Sequence, residues 1–428
     1  RLRSCLSKNI ATMKNLILLF CLIPFFCFSQ AIPVNIISTP NGFELLRDGK
    51  PYFIKGVGGS TNLERAKQYG ANSLRTWSAE GAKEILDKAH SLGLTVCVGL
   101  WVQHERHGFD YSNKVATDLQ LKAFKRTIDE LKDHPALLMW AVGNEVDLFY
   151  SNFDVWKHVE DIARMIKEKD QNHPVITVTA GLDVAEVKLI KKYAPSIDAL
   201  GINTYGGIYH IAESIINYGW DKPYMITEWG PNGHWESPNT KWNVPIEQTS
   251  TEKAKSYRER YDIIVADKTN CLGSYVFLWG QKQETSATWY GLFLEDGKET
   301  AVMDVLIEKW SGKTPVNFAP NIYSFKINEK TAYESLECEK KSTLNIQIDI
   351  VDKENDKLQY QYSIIPESTD IKSGGDKEIA PKAVWSETAS KEINKINSPS
   401  KPGKYRLFLQ VSDNNGNAAT ANFPFRVL

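Results

Sequence analysis

The chain has 428 residues, 42% of them hydrophobic and 24% charged, with a net charge of −1. That is the composition of a packed globular protein, long enough for two or three domains. The near-neutral balance offers no basic footprint for nucleic acid.

The first feature along the chain begins at Met13. Lys14 supplies a positive start, Leu16 to Phe28 an apolar run, and Ser29 a small residue. This pattern predicts a secretory signal peptide, so that residues 1–29 are upstream residues and leader rather than fold. The apolar run is too short for a stable membrane anchor. Bulky residues stand before Cys21 and Cys27, where a lipoprotein needs small ones. Cleavage would remove four basic and no acidic residues and take the net charge from −1 to −5. The expected product is an exported protein of the periplasm, cell surface or medium, monomeric and with no membrane span. Cys97, Cys271 and Cys338 remain, an odd and widely spaced set that reads as free thiols.

Gly42–Arg47 and Pro51–Val57 are predicted to pair as a hairpin through Asp48 and Gly49. Eight strand-then-helix units follow. Helices are predicted at 62–69, 80–92, 118–132, 155–169, 184–193, 208–218, 250–267 and 302–310. The strands between them are predicted at 72–77, 94–102, 137–142, 174–179, 197–205, 224–230 and 272–279. Parallel strands need crossover helices, so the alternation predicts an α/β fold, a (β/α)8 TIM barrel over residues 30–316. A Pro-bearing linker then leads into short alternating runs such as TLNIQIDI and KYRLFLQV. These predict a C-terminal Ig-like β-sandwich over 317–428, without the disulfide of the antibody version.

Two strands carry the chemistry. Leu137–Val142 is an apolar run that ends at Gly143, and Asn144 and Glu145 follow at once. Tyr224–Gly230 has the same shape, with Glu228 near its end. Barrels place their chemistry at the C-terminal ends of such strands. A single Glu there is ordinarily a solvated loop residue or an ion-pair partner. Two of them suggest a glycosidase pair, roughly 5 Å apart if configuration is retained. Glu228 would have to be ionised to attack, and Glu145 protonated to release the leaving oxygen. The charge on Glu228 would itself favour the proton on Glu145. Arg75 ends another strand, where it can hold Glu228 ionised or form a surface ion pair. Asn144 is placed for a sugar 2-hydroxyl. Trp101, His104, Asn203 and Trp229 stand on neighbouring tips or loops as sugar contacts. His104 and His107 lack the helical spacing and third partner of a metal site, so no metal and no cofactor is expected.

With LRTW at 74–77, the Asn144-Glu145 pair, GINTY at 201–205 and Glu228 in TEWG, the chain resembles the clan-A retaining glycoside hydrolases. The resemblance implies an acid/base at Glu145, a nucleophile at Glu228 and an Arg75 that steadies it. It also implies a tyrosine touching the nucleophile, Tyr205, and a tryptophan flooring the sugar site, Trp279. The spacing of the motifs and the trailing domain look like the bacterial endo-β-1,3-glucanases of glycoside hydrolase family 158. That likeness implies internal cleavage of a laminarin-like β-1,3-glucan. The alternatives are a β-mannanase, a β-1,4-glucanase or a transglycosylase on the same barrel, or a glycan-binding protein without turnover.

Overall fold

The computed structural model describes residues 30–428; the predicted signal peptide lies outside the described residues. The chain opens with β1 (Val34–Thr39), β2 (Gly42–Arg47) and β3 (Lys50–Pro51), an antiparallel sheet. The barrel strands are β4 (Ile54–Gly58), β5 (Ser73–Arg75), β6 (Thr95–Leu100), β7 (Leu137–Val142), β8 (Val175–Ala180), β9 (Ala199–Asn203), β10 (Tyr224–Trp229) and β11 (Cys271–Val276). They close in the order β10-β11-β4-β5-β6-β7-β8-β9, each parallel to its neighbours. The crossover helices are α1 (Leu63–Tyr69), α2 (Ala82–Ser91), α3 (Lys114–Leu131), α4 (Asp154–Lys169), α5 (Val184–Tyr193), α6 (Ile211–Asn217), α7 (Ser250–Ala266) and α8 (Ala301–Ser311). Among the described residues, no helix is long and apolar enough to cross a membrane.

Local chemistry explains the elements. All six residues of β7 are buried, as a strand sandwiched between barrel interior and helices must be. The Thr249 side chain accepts from the Glu252 N–H while Glu252 answers on the Thr249 N–H, a capping box that starts α7. Val34 and Leu45 of the leading sheet pack with Ile54, Met139, Ile176 and Met225 of the barrel interior. The Phe43 N–H donates to the carbonyl of Thr269, which precedes β11. The sheet therefore plugs the N-terminal end of the barrel and leaves the opposite mouth for chemistry.

Several elements are shorter than predicted, and two of these differences bear on the site. The second barrel strand ends at Arg75, so Trp77 already belongs to a loop. The last ends at Val276 and not at Trp279, because the apolar run YVFLW continues past the point where sheet pairing stops.

The remaining strands are β12 (Asn321–Ile327), β13 (Glu337–Cys338), β14 (Thr343–Val351), β15 (Gln359–Pro366), β16 (Trp385–Ala389), β17 (Lys395–Asn397), β18 (Gly403–Ser412) and β19 (Ala418–Val427). They form sheets β12-β14-β17 and β13-β19-β18-β15-β16 around a shared core that includes Phe325 and Phe423. This sandwich packs on the barrel through buried polar contacts. The Thr420 N–H donates to the Ser250 hydroxyl at 2.9 Å, and the Ile322 N–H to that of Thr251 at 2.8 Å. Arg406, 1% exposed, donates to the Pro245 carbonyl at 2.8 Å and to Asn422 Oδ1 at 2.6 Å. Asn422 in turn donates to Glu247, which also receives Lys253. Burial alone would raise the Glu247 carboxyl, but Lys253 and Arg406 outweigh it and hold it below the usual range.

Candidate active site

A cavity of about 970 Å³ opens at the C-terminal ends of the barrel strands, with Glu145 and Glu228 both in its lining. That volume lies at the upper end of the range for small-molecule sites. Glu145 sits at a tight corner after β7. Gly143 has φ 78°, and Glu145 itself φ 51°, a left-handed conformation unusual for a residue with a side chain. Its N–H bonds the Val178 carbonyl of β8 at 2.9 Å, which fixes the corner. Backbone strain of this kind clusters where a side chain must be aimed.

Glu228 is 6% exposed and held by three donors. Arg75 Nη1 reaches Oε1 at 3.0 Å, and Trp77 Nε1 reaches the same oxygen at 2.7 Å. The Tyr205 hydroxyl reaches Oε2 at 3.1 Å. Burial first, and then the charge of Glu228, push the Tyr205 phenol well above its ordinary value, so it stays a donor. Such bonds to a carboxylate favour its charged form.

Glu145 has the opposite surroundings. Burial, and next the charge of Glu228, raise its carboxyl to about 8, against one opposing hydrogen bond from Asn203. That bond is 2.8 Å long. Asn203 Nδ2 also donates to Asn144 Oδ1 at 3.2 Å, and Arg75 Nη2 donates to the same oxygen at 2.6 Å. A continuous chain of hydrogen bonds therefore runs from Glu145 through Asn203, Asn144 and Arg75 to Glu228. The Asn144 oxygen is committed to these two donors, which leaves its amide NH2 for a ligand.

Of the other predicted sugar contacts, Trp101 lines the cavity. His104 does not; it is 1% exposed, and its Nε2–H donates to the Asn144 carbonyl at 2.6 Å. It holds the backbone beside Glu145 from behind the cavity wall. Trp229 is also displaced from the expected role. Successive strand residues face opposite ways, so with Glu228 turned inward Trp229 packs outward on Tyr257 and Tyr261. Trp279 is 1% exposed and packs on Tyr69 and Phe293, away from the cavity. The aromatic that lines the site at this place is Phe277, edge-on to Trp77 and Tyr205. Trp77 and Phe277 were both missed as site residues, although each lies within a motif that drew attention. Trp235, 59% exposed, is on the rim.

Residues 61–250 match the family described as glycosyl hydrolases family 2, TIM barrel domain. A β-glucuronidase of Chlorocebus aethiops is 25% identical over 186 residues, which cover 39% of this chain and 27% of that relative. One of Streptococcus agalactiae is 26% identical over 268 residues, covering 51% of this chain and 42% of that relative. The chain thus spans well under half the length of these curated relatives. Among solved structures, Bacteroides uniformis β-glucuronidase 2 shares the fold with a TM-score of 0.52 at 14% identity, over 92% of this chain and 48% of that one. Ruminococcus gnavus β-glucuronidase has a TM-score of 0.52 at 16% identity, over 66% and 53%. The match supports the clan-level resemblance; none of these relatives is a β-1,3-glucanase.

Proposed function

We propose that the chain is a retaining glycoside hydrolase with Glu228 as nucleophile and Glu145 as acid/base. One observation carries the reading: two carboxyls share a cavity in opposite surroundings. Arg75, Trp77 and Tyr205 all donate to Glu228, while Glu145 accepts from Asn203 and burial raises its carboxyl. Glu228 Oε2, with one donor against two on Oε1, is the freer oxygen to attack the anomeric carbon. As that bond forms, the glycosidic C–O bond breaks and the Glu145 proton passes to the leaving oxygen. In the second half, Glu145 takes a proton from water, the water oxygen attacks the same carbon, and the Glu228 ester bond breaks. The Asn144 amide is placed to hold the sugar 2-hydroxyl.

For substrate we favour a neutral β-glycan, and within that class the laminarin-like β-1,3-glucan of the sequence resemblance. The cavity lining is rich in acidic side chains: Glu228, Glu236, Glu284 and Asp376, beside the acid Glu145. Its cations are already engaged. Lys282 pairs with Glu284 at 2.8 Å and Lys372 lies 3.6 Å from Asp370; Arg75, buried behind the lining, is committed to Glu228. A uronate would bring a further negative charge into this field. A β-glucuronide is the second reading, favoured by the names of the relatives and by Lys282 and Lys372 in the wall. Rates on aryl β-glucoside and aryl β-glucuronide, and on laminarin and mannan, separate these readings. Export, monomeric state and independence from metals and cofactors belong to the same proposal.

The chemistry is tested by covalent labelling. The Bacteroides uniformis structure holds a cyclophellitol-6-carboxylate aziridine covalently bound. A neutral cyclophellitol aziridine should label this chain on Glu228, located by peptide mapping. Labelling that is absent, or that falls on Glu145, would overturn the assignment.

A further inference from the structure

The barrel does not build its cavity alone. Ile371, Lys372, Ser373, Gly374, Gly375 and Asp376, from the segment joining β15 to β16 of the sandwich, line it together with Glu145 and Glu228. The segment is fastened at several points. Asp376 accepts from Arg106 at 2.9 Å and faces His107 Nε2 at 3.0 Å. The Ser373 carbonyl accepts from Arg106 at 3.1 Å, and that of Gly375 from Lys282 at 2.6 Å. Glu378, 4% exposed, accepts the Thr285 N–H on one oxygen at 2.7 Å and the Lys372 N–H on the other at 3.1 Å. Gly374 has φ 63°, and a Cβ there would lie 2.7 Å from both Arg106 Nη2 and Leu148 Cδ2. Glycine takes that conformation without strain and leaves room for both side-chain ends.

The anchors trace an arc. Lys282 and Thr285 follow β11, Arg106 follows β6 and Leu148 follows β7. Between β11 and β6 in the ring stand β4 and β5, whose following loops contribute Trp77 alone to the described cavity lining. The segment from the second domain stands over this low rim. On the opposite arc the barrel's own Leu182, His210, Ile211, Ser214, Tyr218 and Trp235 form the edge.

We propose that residues 371–376 of the sandwich stop the cleft on its β11-to-β6 side, so that a glycan is bound by its non-reducing end and cut a few sugars in. The proposal rests on the hydrolase reading. A groove open at both ends accepts the middle of a polymer; one stopped at an end accepts a chain end. The direction follows from the acid. Glu145 follows β7 and its backbone is tied to β8, so the leaving portion departs over the open arc while the attacked sugar lies under the segment. This differs from the internal cleavage that the family resemblance implies.

The test follows viscosity and product length during digestion of laminarin, or of whichever neutral β-glycan the protein turns over. It compares the native chain, a variant with residues 371–376 replaced by two glycines, and Asp376→Ala; a thermal melt confirms that each is folded. The native chain should release short sugars from the first minutes with little loss of viscosity. The shortened variant should give early products several-fold longer and a fast viscosity loss, and Asp376→Ala should shift in the same direction. Long early products from the native chain, or the same product lengths from the native and shortened chains, would overturn the proposal. Aziridine labelling of Glu228 is read in parallel. Its loss in every protein sinks the hydrolase reading, while labelling in all with unchanged products sinks the wall alone.

Discussion

Glu145 and Glu228 are the same residue type on equivalent strand tips, and their neighbours make them different. Glu228 meets a guanidinium, an indole N–H and a phenol, whereas Glu145 meets one amide and the field of Glu228. A consequence is readable in a pH profile. The acid must carry its proton in the free enzyme, and burial with the Glu228 charge holds that proton to about pH 8. The kcat/KM should therefore fall tenfold per pH unit as pH rises through about 8. A profile with its alkaline limb near the ordinary carboxylate range would contradict the assignment. That both acids reach one cavity was legible in the sequence, because two apolar runs, and not one, end in Glu at strand tips of the same barrel. Trp77 was not singled out, because hydrogen bonding by an indole depends on where the strand stops, and β5 stops after three residues.

At the scale of elements, the strand ends decide which aromatic serves the site. Side-chain alternation holds only while the strand lasts. It accounts for Trp229, which must face away from the mouth if Glu228 faces into it, and that was deducible beforehand. It does not reach Trp279, because β11 ends at Val276 and the residues beyond follow no strand register. The (β/α)8 alternation itself was plain in the sequence, since each helix and strand has its own apolar period. The correction to the aromatic site gives a paired prediction. Phe277→Ala should raise KM for substrate by about tenfold with a melting temperature near native. Trp279→Ala should lower stability by ~3–5 kcal/mol, the cost of emptying a core aromatic site. If Trp279→Ala raised KM in a protein of native stability and Phe277→Ala did nothing, the aromatic roles would be reversed.

In the whole molecule the cavity is lined by two domains, and this was the part least visible beforehand. Nothing local in the segment 371–376 reads as a site; it acquires its place by folding against Arg106, Lys282 and Thr285, all distant in sequence. The joint also contains buried acids. Asp304 on α8 accepts the N–H of Ala319 at 3.0 Å, and burial raises its carboxyl from 3.8 to about 7. The folded protein therefore holds this proton more tightly than the unfolded chain does. The stabilisation is complete below about pH 4 and is lost as pH rises towards 7. Asp304→Asn should flatten the pH dependence of stability over that window, as measured by urea unfolding at several pH values. An unchanged slope would show that Asp304 binds its proton no better folded than unfolded.

The division of labour between Glu145 and Glu228 is tested most directly by azide rescue of Glu145→Ala on an activated aryl β-glycoside that the native chain turns over. Such a substrate needs no acid to leave, so Glu228 should still form its ester, and azide should then intercept it. The account predicts a rate restored by azide and a β-glycosyl azide as product, identified by its proton NMR coupling. An α-glycosyl azide, or near-native turnover of Glu145→Ala without azide, would contradict it.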